Sequence, residues 1–225
     1  MPKTVRALAI TAHYDDALIW AGGAIRQTKA LGWTWTVLAT CVDEESRRAY
    51  FAAWCASVGV RGVALRFVDH PDGKPFSRNN RDGLYDAVAD GVGREPFDWV
   101  FTHNPDPNAE YGPHPNHNEA ARTALRLIDS GASGGRLARF SYRRLYPSDS
   151  SAAVASPDAS HTVPLDYGQL QWKAAWCSRA HALEAADVRL NGRSWLERLA
   201  WPCPNPEAFL VQGATLPSPF HPTGV

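Results

Sequence analysis

Apolar and polar positions follow two alternating rhythms along the first half of the chain. Val5 to Thr11 is apolar and branched, as a strand is, and it stops at His13-Tyr14-Asp15-Asp16. Ala17 to Leu31 then carries its apolar residues at helical spacing, with Gly22-Gly23 in the early turns. Thr34 to Val42 predicts a second strand, Glu44 to Val58 a helix that ends at Gly59, and Val63 to Val68 a third strand. The rhythm continues with a helix over Asn80 to Val92, a short buried strand from Trp99 to Thr102, and a helix from His117 to Ile128 that fades into Gly131-Ala132-Ser133-Gly134-Gly135. Such alternation predicts an α/β fold, a Rossmann-like and mostly parallel sheet flanked by helices on both faces. Ligands of open sheets bind beyond the carboxyl ends of the strands.

After residue 136 the pattern changes. Leu137 to Tyr146 predicts one further strand, Ser148 to Ser160 a Ser/Ala/Asp-rich loop, and Gln169 to Leu190 a helix with tryptophans on one side. Trp201-Pro202-Cys203-Pro204-Asn205-Pro206 is stiffened by proline, and the residues after Leu216 are expected to be extended or disordered. There is no long linker and no internal repeat. Residues 1–225 are therefore expected to form one domain, with a core over 1–135 and a small C-terminal elaboration over 136–225 packed on it.

Composition narrows the field modestly. A chain of 225 residues, 44% hydrophobic and 20% charged, can bury one sizeable core. Lys+Arg 23 against Asp+Glu 23 gives no basic field, which disfavours nucleic acid or an anionic membrane and suits a small neutral or zwitterionic ligand. The first dozen residues are too short and too charged, with Lys3 and Arg6, for a signal peptide, and no apolar run reaches bilayer length. The expected location is the cytoplasm. Cys41, Cys55, Cys177 and Cys203 lie far apart without a CxxC pair, so they read as reduced, mostly buried thiols rather than a thiolate metal site or a disulfide framework.

Two clusters carry the chemistry, and both fall at predicted strand ends. A histidine and an aspartate separated by two residues on a tight loop entering a helix can point at one cation, so His13 and Asp16 are candidate ligands and Asp15 is left for proton work. The competing reading is that Asp15 and Asp16 merely cap the helix. Downstream, Asn104 to His117 is a long polar loop. His117 suits a third ligand at a helix start, while His114 would sit beside the metal and could protonate a leaving amine or polarise a carbonyl. Here the competing reading is a solvated turn with surface histidines. Three protein ligands leave a position for water, whose pKa the metal lowers toward neutrality.

These residues resemble the LmbE-like, or PIG-L, zinc-dependent N-deacetylases. That family's hallmarks are Ala-His-Pro-Asp-Asp-Glu followed by Gly-Gly, and a later Tyr-Gly-His-Pro-Asp-His. The corresponding stretches here are Ala12-His13-Tyr14-Asp15-Asp16-Ala17, Gly22-Gly23, and Tyr111-Gly112-Pro113-His114-Pro115-Asn116-His117. Pro71-Asp72-Gly73 resembles the family's substrate-contacting loop, Phe97 to His103 its strand before the second motif, Arg47 its sugar-holding arginine, and Pro206-Glu207-Ala208-Phe209 a common ending. The resemblance implies Zn²⁺, or another divalent metal such as Fe²⁺, Co²⁺ or Ni²⁺, on His13, Asp16 and His117. It implies Asp15 as general base, His114 as the group serving the tetrahedral intermediate or leaving amine, and substrate contacts from Arg47, Asp72 and Tyr111. The substrate implied is a small N-acylated amino-sugar, typically an N-acetylglucosamine conjugate or biosynthetic intermediate, from which the acyl group is hydrolysed.

The departures from the family pattern are Tyr14 for proline, Ala17 for glutamate, Asn116 for aspartate, and an inserted Pro113 that leaves an oxyanion role for Tyr111 open. His181, after Lys173, resembles a late Lys…His element displaced by one residue, and its competing reading is a helix-surface histidine. A metal-dependent sugar- or metabolite-binding module without turnover is the alternative function. A dinucleotide-binding oxidoreductase is disfavoured, because the first strand is followed by no GxGxxG cradle. Oligomeric state, a homo-oligomer included, is left open by the sequence.

Overall fold

In the computed structural model, residues 4–68, 78–93, 96–105, 114–131, 135–146, 149–186, 206–211 and 214–222 are described. The alternating half forms β1 (Arg6–Thr11), α1 (Asp16–Ala30), β2 (Thr34–Ala39), α2 (Glu45–Val58), β3 (Arg61–Ala64), α3 (Arg78–Val92), β4 (Trp99–Thr102), α4 (Pro115–Asp129) and β5 (Arg136–Phe140). Their strands pair in parallel in the order β3-β2-β1-β4-β5. The chain winds outward from β1 in both directions, so β1 and β4 flank the point where strand order reverses, which is where such sheets bind ligands.

Alternation along β1 explains the two helical layers. Leu8 and Ile10 point into a cluster with Leu84 and Val88 of α3 and Ala120, Ala124 and Leu127 of α4. Ala7 and Ala9 point the other way, toward α1, α2 and the aromatic side chains around them. Small residues on both partners, Ala17, Ala21 and Ala24 on α1 included, let that helix lie close to the strand. α2 ends as its sequence demands: Gly59 takes φ 67, a left-handed conformation, while its N–H donates to Ala56 O and that of Val60 to Cys55 O.

The second half completes the sheet and departs from expectation in three places. Leu137 to Tyr146 is two strands rather than one. β5 ends at Phe140, and β6 (Tyr142–Tyr146) leaves the main sheet to pair antiparallel with β7 (Asp149–Ala155). Ser141 makes the bend, because its N–H donates to Ala208 O, its carbonyl accepts from Ser156 N–H and its hydroxyl donates to Asp158 Oδ1. β7 in turn occupies most of the stretch expected to be a loop. Its small polar residues lack the alternation that marks a half-buried strand.

Beyond it come β8 (His161–Val163), α5 (Tyr167–Ala186), β9 (Glu207–Val211) and β10 (His221–Pro222). They extend the main sheet as β10-β8-β9-β5 with antiparallel pairing, so eight strands form a mostly parallel sheet. The tail is thus pinned rather than loose: Phe220 is buried, its ring 5.9 Å from Phe101 and 5.2 Å from Phe209. β3 also begins and ends earlier than the expected Val63 to Val68, because its pairing with β2 starts at Arg61 and Thr36.

A buried ion pair ties α1 to the added strands. Glu207 and Lys173 are both fully buried, with Lys173 Nζ donating to Glu207 Oε1 at 2.5 Å. The same carboxylate accepts from the N–H groups of Gly23 (2.8 Å) and Ala24 (2.6 Å). Tyr142 donates its hydroxyl to Trp20 O on the preceding turn and accepts from Ala208 N–H. Gly23 is glycine for lack of room: a Cβ there would collide with Leu165 Cδ2 and stand 3.2 Å from Glu207 Oε1. Cys41, Cys55 and Cys177 are buried, and burial pushes the Cys55 thiol up to about 12. Among the described residues no helix is long and apolar enough to cross a membrane.

Candidate metal centre

The carboxyl ends of β1 and β4 deliver four imidazoles and two carboxylates to one rim. His13, Tyr14 and Asp15 form the turn out of β1, and Asp16 opens α1. His103 directly follows β4, while His114 occupies the N-cap position of α4 and His117 its first turn, after Pro115 at a position that costs the helix no hydrogen bond. Asp15 is the N-cap residue of α1 yet makes no side-chain capping bond, so its carboxylate is not consumed in the role the competing reading gave it.

Distances place the expected ligands together. His13 Nδ1 and His117 Nε2 are 3.2 Å apart, His13 Nδ1 lies 3.3 Å from Asp16 Oδ2, and His117 Nε2 lies 3.5 Å from Asp16 Oδ1. Donors on a tetrahedral ion with bonds of about 2.0–2.1 Å are separated by about 3.3 Å, so each of these separations has the length of a coordination polyhedron's edge, the two histidine nitrogens facing different Asp16 oxygens. His13 N–H also donates to Asp16 Oδ2 at 2.6 Å, closing the turn and orienting the carboxylate.

The rings form a column. His103 stacks on His117 with centroids 3.9 Å apart and planes 11° apart, and His114 stacks on the other face of the group at 4.5 Å and 29°. His13 stands across the column, 60° from the plane of His117. Among the described residues, His13 with His114 and His117, and Asp16 with His103 and His117, also have donor atoms close enough to hold an ion. Near-parallel stacked rings aim their in-plane lone pairs along separate planes, so His103 and His117 cannot both coordinate one ion well. His13, Asp16 and His117 carry no such conflict.

Electrostatics pull the Asp16 carboxyl two ways. Burial alone would push the Asp16 carboxyl up. The surrounding His117, His103 and His13, with the hydrogen bond to His103, outweigh it and hold the carboxyl well below the usual carboxylate range.

Tyr14, which stands in place of the family's proline, is itself a loop support. Its ring is buried edge-on to Tyr50 at 5.4 Å, and its hydroxyl donates to Ala180 O of α5 at 3.0 Å. Arg47 reaches the same loop, with its guanidinium 5.6 Å from the Tyr14 ring centroid and its Nε 3.4 Å from Glu44 Oε2. Asn116 and Ala17 are both buried. Asp72, Tyr111 and Pro113 lie outside the described residues, as does the side chain of His181.

His103 is the site residue that motif reading passed over, although it ends a buried strand that the hydrophobic pattern locates. A histidine at the carboxyl end of a strand beside the switch point is the signal that finds it.

Over residues 8–128 the sequence matches the family model described as GlcNAc-PI de-N-acetylase, PIG-L. The chain belongs to the PIG-L family. The matched stretch runs from β1 to α4 and contains both clusters. PIG-L domains are amidohydrolases, and this chain is an enzyme of that class.

No curated protein matches the chain. Among solved structures, the zinc-inhibited form of a teicoplanin deacetylase is similar at 16% identity and TM-score 0.57, covering 86% of this chain and 90% of its own. An N,N'-diacetylchitobiose deacetylase from Pyrococcus horikoshii is similar at 18% identity and TM-score 0.57, with 92% of this chain and 83% of the other covered. A 4-carboxy-2-hydroxymuconate hydratase from Pseudomonas putida is similar at 16% identity and TM-score 0.55, with 96% and 99% covered. At such identity these likenesses establish the PIG-L fold. Because one of them is a hydratase, the reaction has to be argued from the site.

Proposed function

We propose that the protein is a Zn²⁺-dependent N-deacetylase that hydrolyses the acyl amide of a small amino-sugar conjugate, with His13, Asp16 and His117 holding the metal. The observation that carries this reading is the gathering of His13 Nδ1, His117 Nε2 and the two Asp16 carboxylate oxygens at separations of 3.2, 3.3 and 3.5 Å, beside an Asp15 carboxylate that does no capping. A bound zinc ion would supply Lewis acidity and bring the pKa of water toward neutrality.

The chain's own residues do the rest. Asp15, on the turn between two ligands, takes the proton from the attacking water. His114, one ring away from His117 in the column and 4.9 Å from His13, returns a proton to the amine nitrogen as the carbon–nitrogen bond breaks. Arg47, held over Tyr14 at the rim, is suited to hydrogen-bond sugar hydroxyls, and Asp72 and Tyr111 are proposed to join it from their loops. The similar structures of a deacetylase from the teicoplanin biosynthesis pathway and of an N,N'-diacetylchitobiose deacetylase support an N-acetylglucosamine-type substrate.

The test is amine release from a panel of N-acetylated amino-sugars and their glycosides by the zinc-loaded protein. The wild type should turn over at least one of them, and Asp15→Ala should lower kcat by about 10²–10⁴-fold while still binding one equivalent of zinc. Undiminished activity in Asp15→Ala would remove the general-base role. Binding of sugar without product by the wild type would instead favour a metal-dependent binding module.

A further inference from the structure

From the geometry we infer that His103 is a positioning residue of the metal centre, holding two ligands from behind: it hydrogen-bonds the Asp16 carboxylate and stacks under His117. The inference rests on the ligand set proposed above.

His103 is completely buried, and its ring has no freedom to wander. One face lies on the His117 ring at 3.9 Å, and the Phe140 ring of β5 stands edge-on at 5.5 Å. Two groups compete for its Nε2, each at 3.2 Å: Ala12 N–H, which would donate to it, and Asp16 Oδ2, which would accept from it. An ionised carboxylate is the stronger partner, because a charge-assisted bond is roughly twice as strong as a neutral one. With the proton on the other ring nitrogen, a lone pair would face a carboxylate oxygen across 3.2 Å in a buried setting, which is repulsive. The tautomer that fits carries its proton on Nε2 and gives it to Asp16.

The division of labour on Asp16 follows. Oδ2 takes donors from His13 N–H and His103 and lies 3.3 Å from His13 Nδ1, while Oδ1 faces His117 Nε2. The donors on Oδ2 fix the orientation of the whole carboxylate toward His13 and His117, the arrangement by which an outer partner tunes a ligand. Stacking excludes His103 from direct coordination alongside His117, which assigns it support rather than ligation.

Metal affinity, measured by competition with a chromophoric chelator for Zn²⁺, separates this from a packing role. His103→Phe keeps a flat ring in the column but loses the donor, and should weaken Zn²⁺ binding by about 10–100-fold, as loss of an outer partner does elsewhere. His103→Gln loses the stack but brings an amide N–H to about the same place, and should recover binding to within about threefold of wild type. The Co²⁺-loaded His103→Phe protein should keep the wild-type coordination spectrum, because no ligand has been removed.

Zinc binding by His103→Phe at the wild-type level would overturn the inference. So would equal weakening in both variants accompanied by a lower melting temperature of the metal-free protein, which would mark a packing role, or a changed Co²⁺ spectrum, which would mark a ligand. A wild-type protein that binds no zinc would instead defeat the proposed function, so the two failures are told apart.

Discussion

At its first residue α1 contributes a buried carboxylate, Asp16, and two turns later it receives another, Glu207 from β9. Glu207 is matched by hydrogen-bond donors throughout: Lys173 Nζ and Gly23 N–H on one oxygen, Ala24 N–H on the other. Asp16 shares its surroundings with the ring nitrogens of His13 and His117, themselves only 3.2 Å apart. Neutral imidazoles have one donor and one acceptor nitrogen each, so a cluster of this kind gathers more lone pairs than protons. Glu207 has its countercharge in Lys173, whereas the acceptors gathered around Asp16 suit the cation proposed above. Burial alone does not tell the two apart, since both carboxylates are buried.

The largest effect should come from removing the charge at the cation seat. Asp16→Asn replaces one acceptor oxygen with an amide that cannot balance a divalent ion. It should weaken zinc binding by at least about a hundredfold, beyond the 10- to 100-fold typical of an outer partner, and abolish amide hydrolysis. The metal-free protein should still fold, because Glu207, not Asp16, ties α1 to the sheet. Calorimetric titration of zinc with a parallel melting curve checks both halves, and unchanged affinity would erase the distinction drawn between the two carboxylates.

At the other end the expectation reverses. Lys173→Met leaves Glu207 buried with two backbone donors and no countercharge, and should cost about 3–5 kcal/mol, the range for breaking a buried pair by removing one partner. Zinc affinity of the folded fraction should stay within a few-fold of wild type. Denaturant unfolding reads the first and chelator competition the second. A loss below about 1 kcal/mol would mean that the backbone donors alone satisfy the carboxylate.

The two regions also differ in how legible they were. His13, Asp15, Asp16 and His117 announce themselves because a tight turn brings ligands together at short sequence spacing, and the hydrophobic rhythm puts both clusters at strand ends. Glu207 and Lys173 do not, since their partnership spans 34 residues and depends on where β9 enters the sheet. Gly22-Gly23 was visible as a motif, but its purpose was not: the space at Gly23 is needed by Leu165 and Glu207, contacts no local pattern encodes. The β5–β6 break failed for the same reason, being set at Ser141 by a hydrogen bond with Ala208 rather than by any breaker residue. His103 lay between, just past the end of a strand correctly located but outside both motifs.

A smaller effect probes that crowded glycine. Gly23→Ala should cost about 1–3 kcal/mol, the usual penalty for inserting a methyl into a filled space, because Leu165 must move and Glu207 Oε1 is only 3.2 Å away. If helix propensity ruled, the substitution would stabilise α1 by about 1 kcal/mol instead, and the sign of the measured change in unfolding midpoint decides between them.

The smallest effect concerns a third buried titratable group, His161 on β8, which is satisfied only while neutral. Its Nε2 accepts from Leu216 N–H at 3.3 Å and its Nδ1 lies 2.9 Å from Ser160 Oγ, so the ring helps clasp the C-terminal segment that β10 carries. Burial lowers its pKa from 6.5, meaning the folded protein resists a proton that the unfolded chain accepts. Stability from this source is therefore complete above pH 6.5, declines as the pH falls below that value, and levels off once the folded-state pKa is passed. The comparison is between wild type and His161→Gln, both metal-free. The wild-type melting temperature should fall more steeply below pH 6.5 than that of the variant, and parallel curves would show that the clasp does not depend on the neutral ring.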